Sequence, residues 1–270
     1  ITGASMGIKK IICIVLLLTV AAGGLPLTAR AAQTQNVGNS SQVYYPVMHM
    51  SPADYRNCES KLARKTDVDA LRAYLHKHIM KAQSVIDISS FRVPESLTLS
   101  LCGFIWYGMP EAFNADAIGI SAAPGGITSL TIHYRSFADT EAEYRKCYEG
   151  MTAAADRLLS GIEDNISLPD EHKALLLHDR LCLHTEYTYG EITDAEHTAY
   201  GALAKGSAGC QGYTMAYMYL LERAGIDSYY CASDSLNHAW NIVYINGKAY
   251  HADVTWDDIS WRIDNRGVPG

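Results

Sequence analysis

No stretch of about 18 or more consecutive apolar residues occurs in the 270-residue chain, so the sequence offers no ordinary membrane-spanning helix. The seven cysteines show no C-x-x-C or C-x-x-H spacing, which leaves no structural zinc motif. Basic residues are few, 22 against 29 acidic ones, and we find no internal repeat. An acidic surface argues against nucleic acid and against anionic membranes or wall polymers as electrostatic partners. With 48% hydrophobic and 19% charged residues, the chain has the composition of a globular protein of one or two domains.

Ile1–Ser5 precede the first methionine, Met6, and are set aside. From Met6 the order is a basic pair (Lys9, Lys10), an uncharged apolar run (Ile11–Ala22) and an A-x-A site (Ala29-Arg30-Ala31). These are the three parts of a signal peptide, so residues 1–31 are expected to be a leader cleaved near Ala31 and the protein secreted or extracytoplasmic. An uncleaved anchor is the rival, but the apolar run is short for one. Without Lys9, Lys10 and Arg30 the net charge moves from −7 to −10. Six cysteines then remain, and a free nucleophile among them leaves an odd number, so no full disulfide framework is expected.

Residues 32–44, polar and small, read as a flexible linker. Val68, Leu71, Leu75 and Ile79 recur at helical spacing behind Thr66, the expected N-cap. Pro94–Tyr107 carries a second helical pattern. Ala115–Ala122 and Ile127–Arg135 flank Pro124-Gly125-Gly126 as a hairpin. A long helix follows from Thr140 to about Leu159, and another from Leu168 to His184 with proline in its first turn. His178, on that helix, lacks partners for a metal site and is read as packed or capping. The expected domains are an α+β N-terminal region over 45–161 and a core over 162–270.

Within that core, Cys210–Leu221 carries no charge and is apolar nearly all round, the pattern of a helix buried on every side. Lys205–Gly209 is too small and turn-prone to stay helical, and Gly225 follows Ala224 as a stop. Cys210 therefore starts the helix, where the positive end of the helix dipole makes a sulfur the better nucleophile. The competing reading is a cysteine that merely packs.

Asn237–Ile245 and Lys248–Trp256 flank Asn246-Gly247, a strong hairpin signal. A two-residue turn sets Ile245 opposite Lys248, and continuing that register sets His238 opposite Thr255 and Trp240 opposite Asp253. His238 and Asp253 become diagonal neighbours on one face, within reach of each other. A histidine held by a carboxylate at one nitrogen presents the other as a base. His251, opposite Ile242, is too far along the strand to share a metal with His238. Trp240 and Trp256 read as walls.

Gly209–Tyr213, Leu220–Ile226, Asn237–Asn241 and Tyr250–Asp258, with His197–Leu203 upstream, resemble the transglutaminase-like superfamily in its bacterial secreted branch. The resemblance is close over about 170–258 and loose over 51–161. It implies an α+β, papain-like core in which a buried helix bearing the nucleophile packs on an antiparallel sheet. It implies a Cys-His-Asp triad at Cys210, His238 and Asp253, and a cysteine enzyme acting on amide bonds of a peptide or protein substrate through a thioester. Water as acceptor makes it a peptidase or amidase; an amine makes it a transglutaminase. The backbone N–H of Cys210 is one expected oxyanion donor and Tyr200 the candidate for the second, with core packing as the competing reading for that tyrosine. No cofactor is implied, since the calcium sites of the animal enzymes find no matching acidic loop. The alternative function is a non-catalytic cell-surface or wall interaction module that keeps the fold. Similar proteins continue with a further strand and helix after the Trp-Asp-Asp segment, so a truncated C-terminus is expected here.

Overall fold

The structure, a computed structural model, describes residues 33–37, 40–46 and 52–258. The expected leader and the tail after Asp258 lie outside the described residues. In chain order the elements begin with β1 (Gln33–Val37), β2 (Ser40–Pro46), α1 (Pro52–Ala63), α2 (Val68–Ile79), β3 (Val85–Asp87) and α3 (Thr98–Gly108). They continue with β4 (Ala115–Ala123), β5 (Gly126–Tyr134), α4 (Glu141–Leu159), α5 (Asp170–His184), β6 (Glu186–Tyr187) and β7 (Ser207–Ala208). The last are α6 (Cys210–Arg223), β8 (Ser228–Ser233), β9 (His238–Ile245), β10 (Lys248–Ala252) and α7 (Val254–Asp257). The fold is α+β.

A five-stranded sheet, ordered β1-β2-β4-β5-β3, occupies the N-terminal part, and a three-stranded sheet, β10-β9-β8, the C-terminal part. Residues 32–44, expected to be a linker, instead hold β1 and most of β2, which pairs antiparallel with β4. Their polar composition hides the pairing, because backbone hydrogen bonds need no apolar side chains. In α2 the expected stripe is buried at Leu71, Leu75 and Ile79. The N-cap is Asp67 rather than Thr66: its carboxylate accepts from Ala70 N–H at 3.0 Å. Thr140, the expected start of α4, is its N-cap and accepts from Glu143 N–H. The buried face of α5 is Ala174, Leu177 and Leu181, leaving Leu175 at the surface.

One apolar cluster runs from Leu62 in α1 to Val254 in α7, so both sheets share a core with α6 inside it. Every residue of α6 from Gly212 to Leu221 is buried, and each large side chain removed from water contributes about 1.5–3 kcal/mol. The far end of α6 is anchored by ion pairs. Arg72 bridges Glu111 and Glu222, and Arg223 bridges Asp156 and Glu163. Gly225 has φ +77°, the left-handed conformation that ends a helix without a Cβ clash. Among the described residues, no helix is long and apolar enough to cross a membrane, and no group of three or more His, Cys, Asp and Glu is placed to hold a metal.

Candidate active site

The position of Cys210 is set by close backbone approach. Gly209, the N-cap of α6, is extended at ψ 179°, and its N–H donates to Glu196 O at 3.1 Å. A Cβ on Gly212 would meet Glu196 O at 2.4 Å and Ala208 Cβ at 2.8 Å. The first turn of α6 therefore lies against the 193–198 segment more closely than any other residue type would allow. Glu196 holds that segment in turn. Its carboxylate accepts from Thr193 N–H (2.7 Å), Thr188 Oγ1 (3.0 Å) and Ser207 Oγ (2.9 Å). Burial alone would raise its pKa, but these hydrogen bonds win and bring it to about 2. Glu196 thus ties together the two short parallel strands β6 and β7, which lead directly into Cys210.

A second set of bonds fixes α6 to the hairpin. Asn241, 1% exposed, donates from Nδ2 to Thr214 O at 3.0 Å, and Thr214 Oγ1 donates to Cys210 O at 2.8 Å. The side chain three residues from His238 on β9 is thereby coupled to the first turn of α6.

The hairpin register is the expected one through Ala252, which pairs with Asn241. Asn246 and Gly247 both have positive φ, 51° and 73°, as a type I′ turn requires. Beyond Ala252 the strand ends: Asp253 becomes the N-cap of α7, so Thr255 and Asp253 are not strand partners of His238 and Trp240. The physical reason is capping. Asp253 Oδ1 accepts from Trp256 N–H at 3.2 Å, a side-chain bond that competes with ladder pairing. The other oxygen, Oδ2, lies 2.7 Å from His238 Nε2.

With Nε2 taken by Asp253, Nδ1 is the ring nitrogen left free of that bond, and Cys210 lies near enough to act on the charge of the ring. The imidazole side chain is 8% exposed. Burial works against its charge, but the bond to Asp253 and the interactions with the negative charges of Asp253 and Cys210 outweigh it and raise the pKa to about 9. Trp240 lies nearly parallel to the His238 ring (centroids 5.9 Å, 18°), and Trp256 lies tilted against it (5.4 Å, 36°). Both indoles act as walls in contact with the imidazole.

None of the six cysteines among the described residues is in a disulfide. Burial raises the Cys102 thiol, takes Cys231 to about 11 and, with the charges of Asp258, Asp257 and Asp179, takes Cys182 to about 12. Those three are held as neutral thiols, whereas Cys210, half-buried, is the one coupled to a histidine–carboxylate pair.

Tyr200 is placed elsewhere. It stacks on Phe137 (5.5 Å) and Phe113 (5.6 Å), and burial first and the neighbouring Cys147 second raise its phenol to about 12. The tyrosine that borders Cys210 is Tyr187. It pairs with Ala208, two residues before the nucleophile. Its phenol is raised by burial and then by the negative charge of Cys210. Its ring packs on Tyr213 (6.4 Å) and Tyr189 (5.2 Å). The sequence signal for it was the alternation Thr185-Glu186-Tyr187-Thr188-Tyr189, a short strand pattern just after a helix.

His178 bridges α5 to α7 through Asp257 at 3.3 Å and sits edge-on to Tyr217, a packing role as expected. His251 is engaged by Trp240, whose Nε1–H donates to its Nδ1 at 2.7 Å.

The family description "Transglutaminase-like superfamily" matches residues 153–261, a range that holds α5, α6 and the hairpin. A solved structure titled "Crystal structure of a TGase" is similar at TM-score 0.36 and 12% identity, over 52% of this chain and 44% of that one. The chain spans less than half of that structure's length. No curated protein matches the chain. Over residues 153–261 the chain is thus similar to the transglutaminase-like superfamily.

Proposed function

We propose that the protein is a cysteine-dependent acyl-transfer enzyme that opens amide bonds of peptides or proteins through a thioester on Cys210. The observation that carries the reading is one imidazole held by a carboxylate and electrostatically coupled to a thiol. His238 Nε2 is held by Asp253 at 2.7 Å, and Cys210 at the start of α6 helps to raise the pKa of the same ring. A pKa of about 9 for His238 keeps the proton on the ring at neutral pH.

Cys210 Sγ attacks the carbonyl carbon, and the tetrahedral oxyanion collapses with cleavage of the C–N bond. His238 gives its proton to the departing amine. The acceptor then attacks the thioester, His238 takes the acceptor's proton, and Cys210 leaves. Water as acceptor gives hydrolysis and an amine gives cross-linking; the triad serves both. As the first residue of α6, Cys210 has a backbone N–H with no intrahelical acceptor, available to the oxyanion. Tyr187 replaces Tyr200 as our candidate for the second donor, on the strength of its place beside Ala208 and its electrostatic coupling to Cys210. Removing a donor of this kind, in Tyr187→Phe, is expected to lower kcat about a hundredfold with little change in KM.

The signal-peptide pattern supports an exported enzyme with extracytoplasmic peptide or protein substrates. We also propose that residues 45–161 serve as a packing region for the catalytic core over 162–270, since the shared apolar cluster runs through both.

Cys210→Ala tests the reaction. Amine incorporation into, and deamidation of, a glutamine peptide should both fall at least about a thousandfold, with an unchanged circular dichroism spectrum. A folded Cys210→Ala protein that keeps either activity contradicts the reading.

A further inference from the structure

The outer face of the hairpin carries two side-chain contacts made from β9. His238 on β9 reaches Asp253, and Trp240, two residues on, reaches His251 on β10. The Trp240–His251 contact is a diagonal of the β9–β10 ladder, in which His251 pairs with Ile242, whereas Asp253 makes its contact from the N-cap of α7 just beyond the ladder's end. The two are joined laterally, since the Trp240 ring lies almost parallel to the His238 ring at 5.9 Å.

An indole N–H can only donate. Here His251 Nδ1 accepts it at 2.7 Å while the ring lies nearly parallel to His238. His251 itself is exposed and pairs with Ile242 in the ladder, so its backbone place is fixed while its side chain lies over the hairpin surface. An acceptor at Nδ1 requires that the ring proton sit on Nε2.

Resting on the proposed role of His238, we propose that His251 is a positioning residue: by accepting the Trp240 N–H it fixes the indole that braces the face of His238 and so keeps the imidazole aimed at Cys210. His251 touches neither the thiol nor the reacting atoms. Its action passes through one hydrogen bond and one ring contact. The side chain is therefore replaceable by any group that presents an acceptor at the Nδ1 position, and not by one that presents none.

The experiment uses the full chain and the rate at which iodoacetamide alkylates Cys210 at neutral pH, read by peptide mass spectrometry, together with the Trp240 indole ¹⁵N–H resonance, assigned through Trp240→Phe. In His251→Ala the indole resonance should shift and the alkylation rate fall about fivefold, the size expected for losing one modest hydrogen bond. His251→Asn, whose side-chain oxygen replaces Nδ1, should restore both to within about twofold of wild type. Trp240→Phe should match His251→Ala, and combining the two should cost no more than either alone, because they remove the same contact. Equal rates in His251→Ala and wild type overturn the proposal, as does an asparagine variant as slow as the alanine one. Alkylation needs no acyl substrate. A chain with His251-dependent alkylation and no amide chemistry would therefore remove the proposed reaction and leave this inference standing. The converse result would do the opposite.

Discussion

Two aromatic regions flank α6, and they do different work. Around Phe113, rings are packed against rings: Tyr144 lies on Phe113 at 4.9 Å and 4°, and Phe137 and Tyr200 complete the stack. The Tyr144 hydroxyl there donates to Glu111 O, and the Tyr200 phenol lies against the thiol of Cys147. Around His238, the rings of Trp240 and Trp256 bracket an imidazole held by Asp253 and electrostatically coupled to Cys210. Tyrosine chemistry alone does not separate a donor from a packing ring. What separates them is whether the neighbouring group is a closed structural partner or a reactive one.

The comparison makes Tyr144→Ala the largest expected loss of stability without loss of site chemistry. Tyr144 is fully buried, and removing it should cost about 3–5 kcal/mol in denaturant unfolding. Cys210 alkylation in the fraction still folded should be unchanged. A parallel loss of alkylation would mean that the two regions are one unit. Gly212→Ala should behave in the opposite sense. Its Cβ would press on Glu196 O at 2.4 Å, costing about 1–3 kcal/mol and also slowing Cys210 labelling, because the first turn of α6 must shift.

Smaller effects come from the charged groups. The Glu196 carboxylate has its pKa lowered from 4.5 to about 2, so its contribution is present above pH 4.5 and lost as pH falls toward 2. Glu196→Gln should lower the unfolding midpoint at pH 6 by a few degrees, with the difference shrinking at pH 3. His238 runs the other way. Its pKa is raised from 6.5 to about 9, so the protonated ring stabilises the fold fully below pH 6.5 and the contribution disappears as pH rises through 9. The gap in melting temperature between wild type and His238→Gln should be wider at pH 6 than at pH 9.5. A gap that is constant with pH would contradict the ion pairing.

The parts of the site set by local rules were legible in the sequence. The Asn246-Gly247 turn fixed the register, the small run before Cys210 placed the start of α6, and both follow from φ preferences that a sequence displays. The continuation of β10 was not legible, because Asp253 had two possible uses, ladder residue or cap, and a four-residue helix has no periodicity to announce it. Tyr187 and the Glu196 clamp were missed for a related reason. Their roles depend on the parallel pairing of two-residue strands separated by 19 residues or more, which no local pattern encodes. Tyr200 is an aromatic residue upstream of Cys210, as the family resemblance implies for the second donor, but the intervening turn at 201–205 carries it to the packed side.

The most direct measurement is the rate of Cys210 alkylation at pH 7 in wild type and in His238→Ala, with Cys182 and Cys231 as internal references. The account predicts that Cys210 is labelled far faster than the two references, whose pKa values near 12 and 11 hold them neutral. It also predicts that His238→Ala removes that advantage while leaving the references unchanged. Labelling of Cys210 at the same rate with and without His238 would contradict the thiol–imidazole pair and the acyl-transfer reading with it.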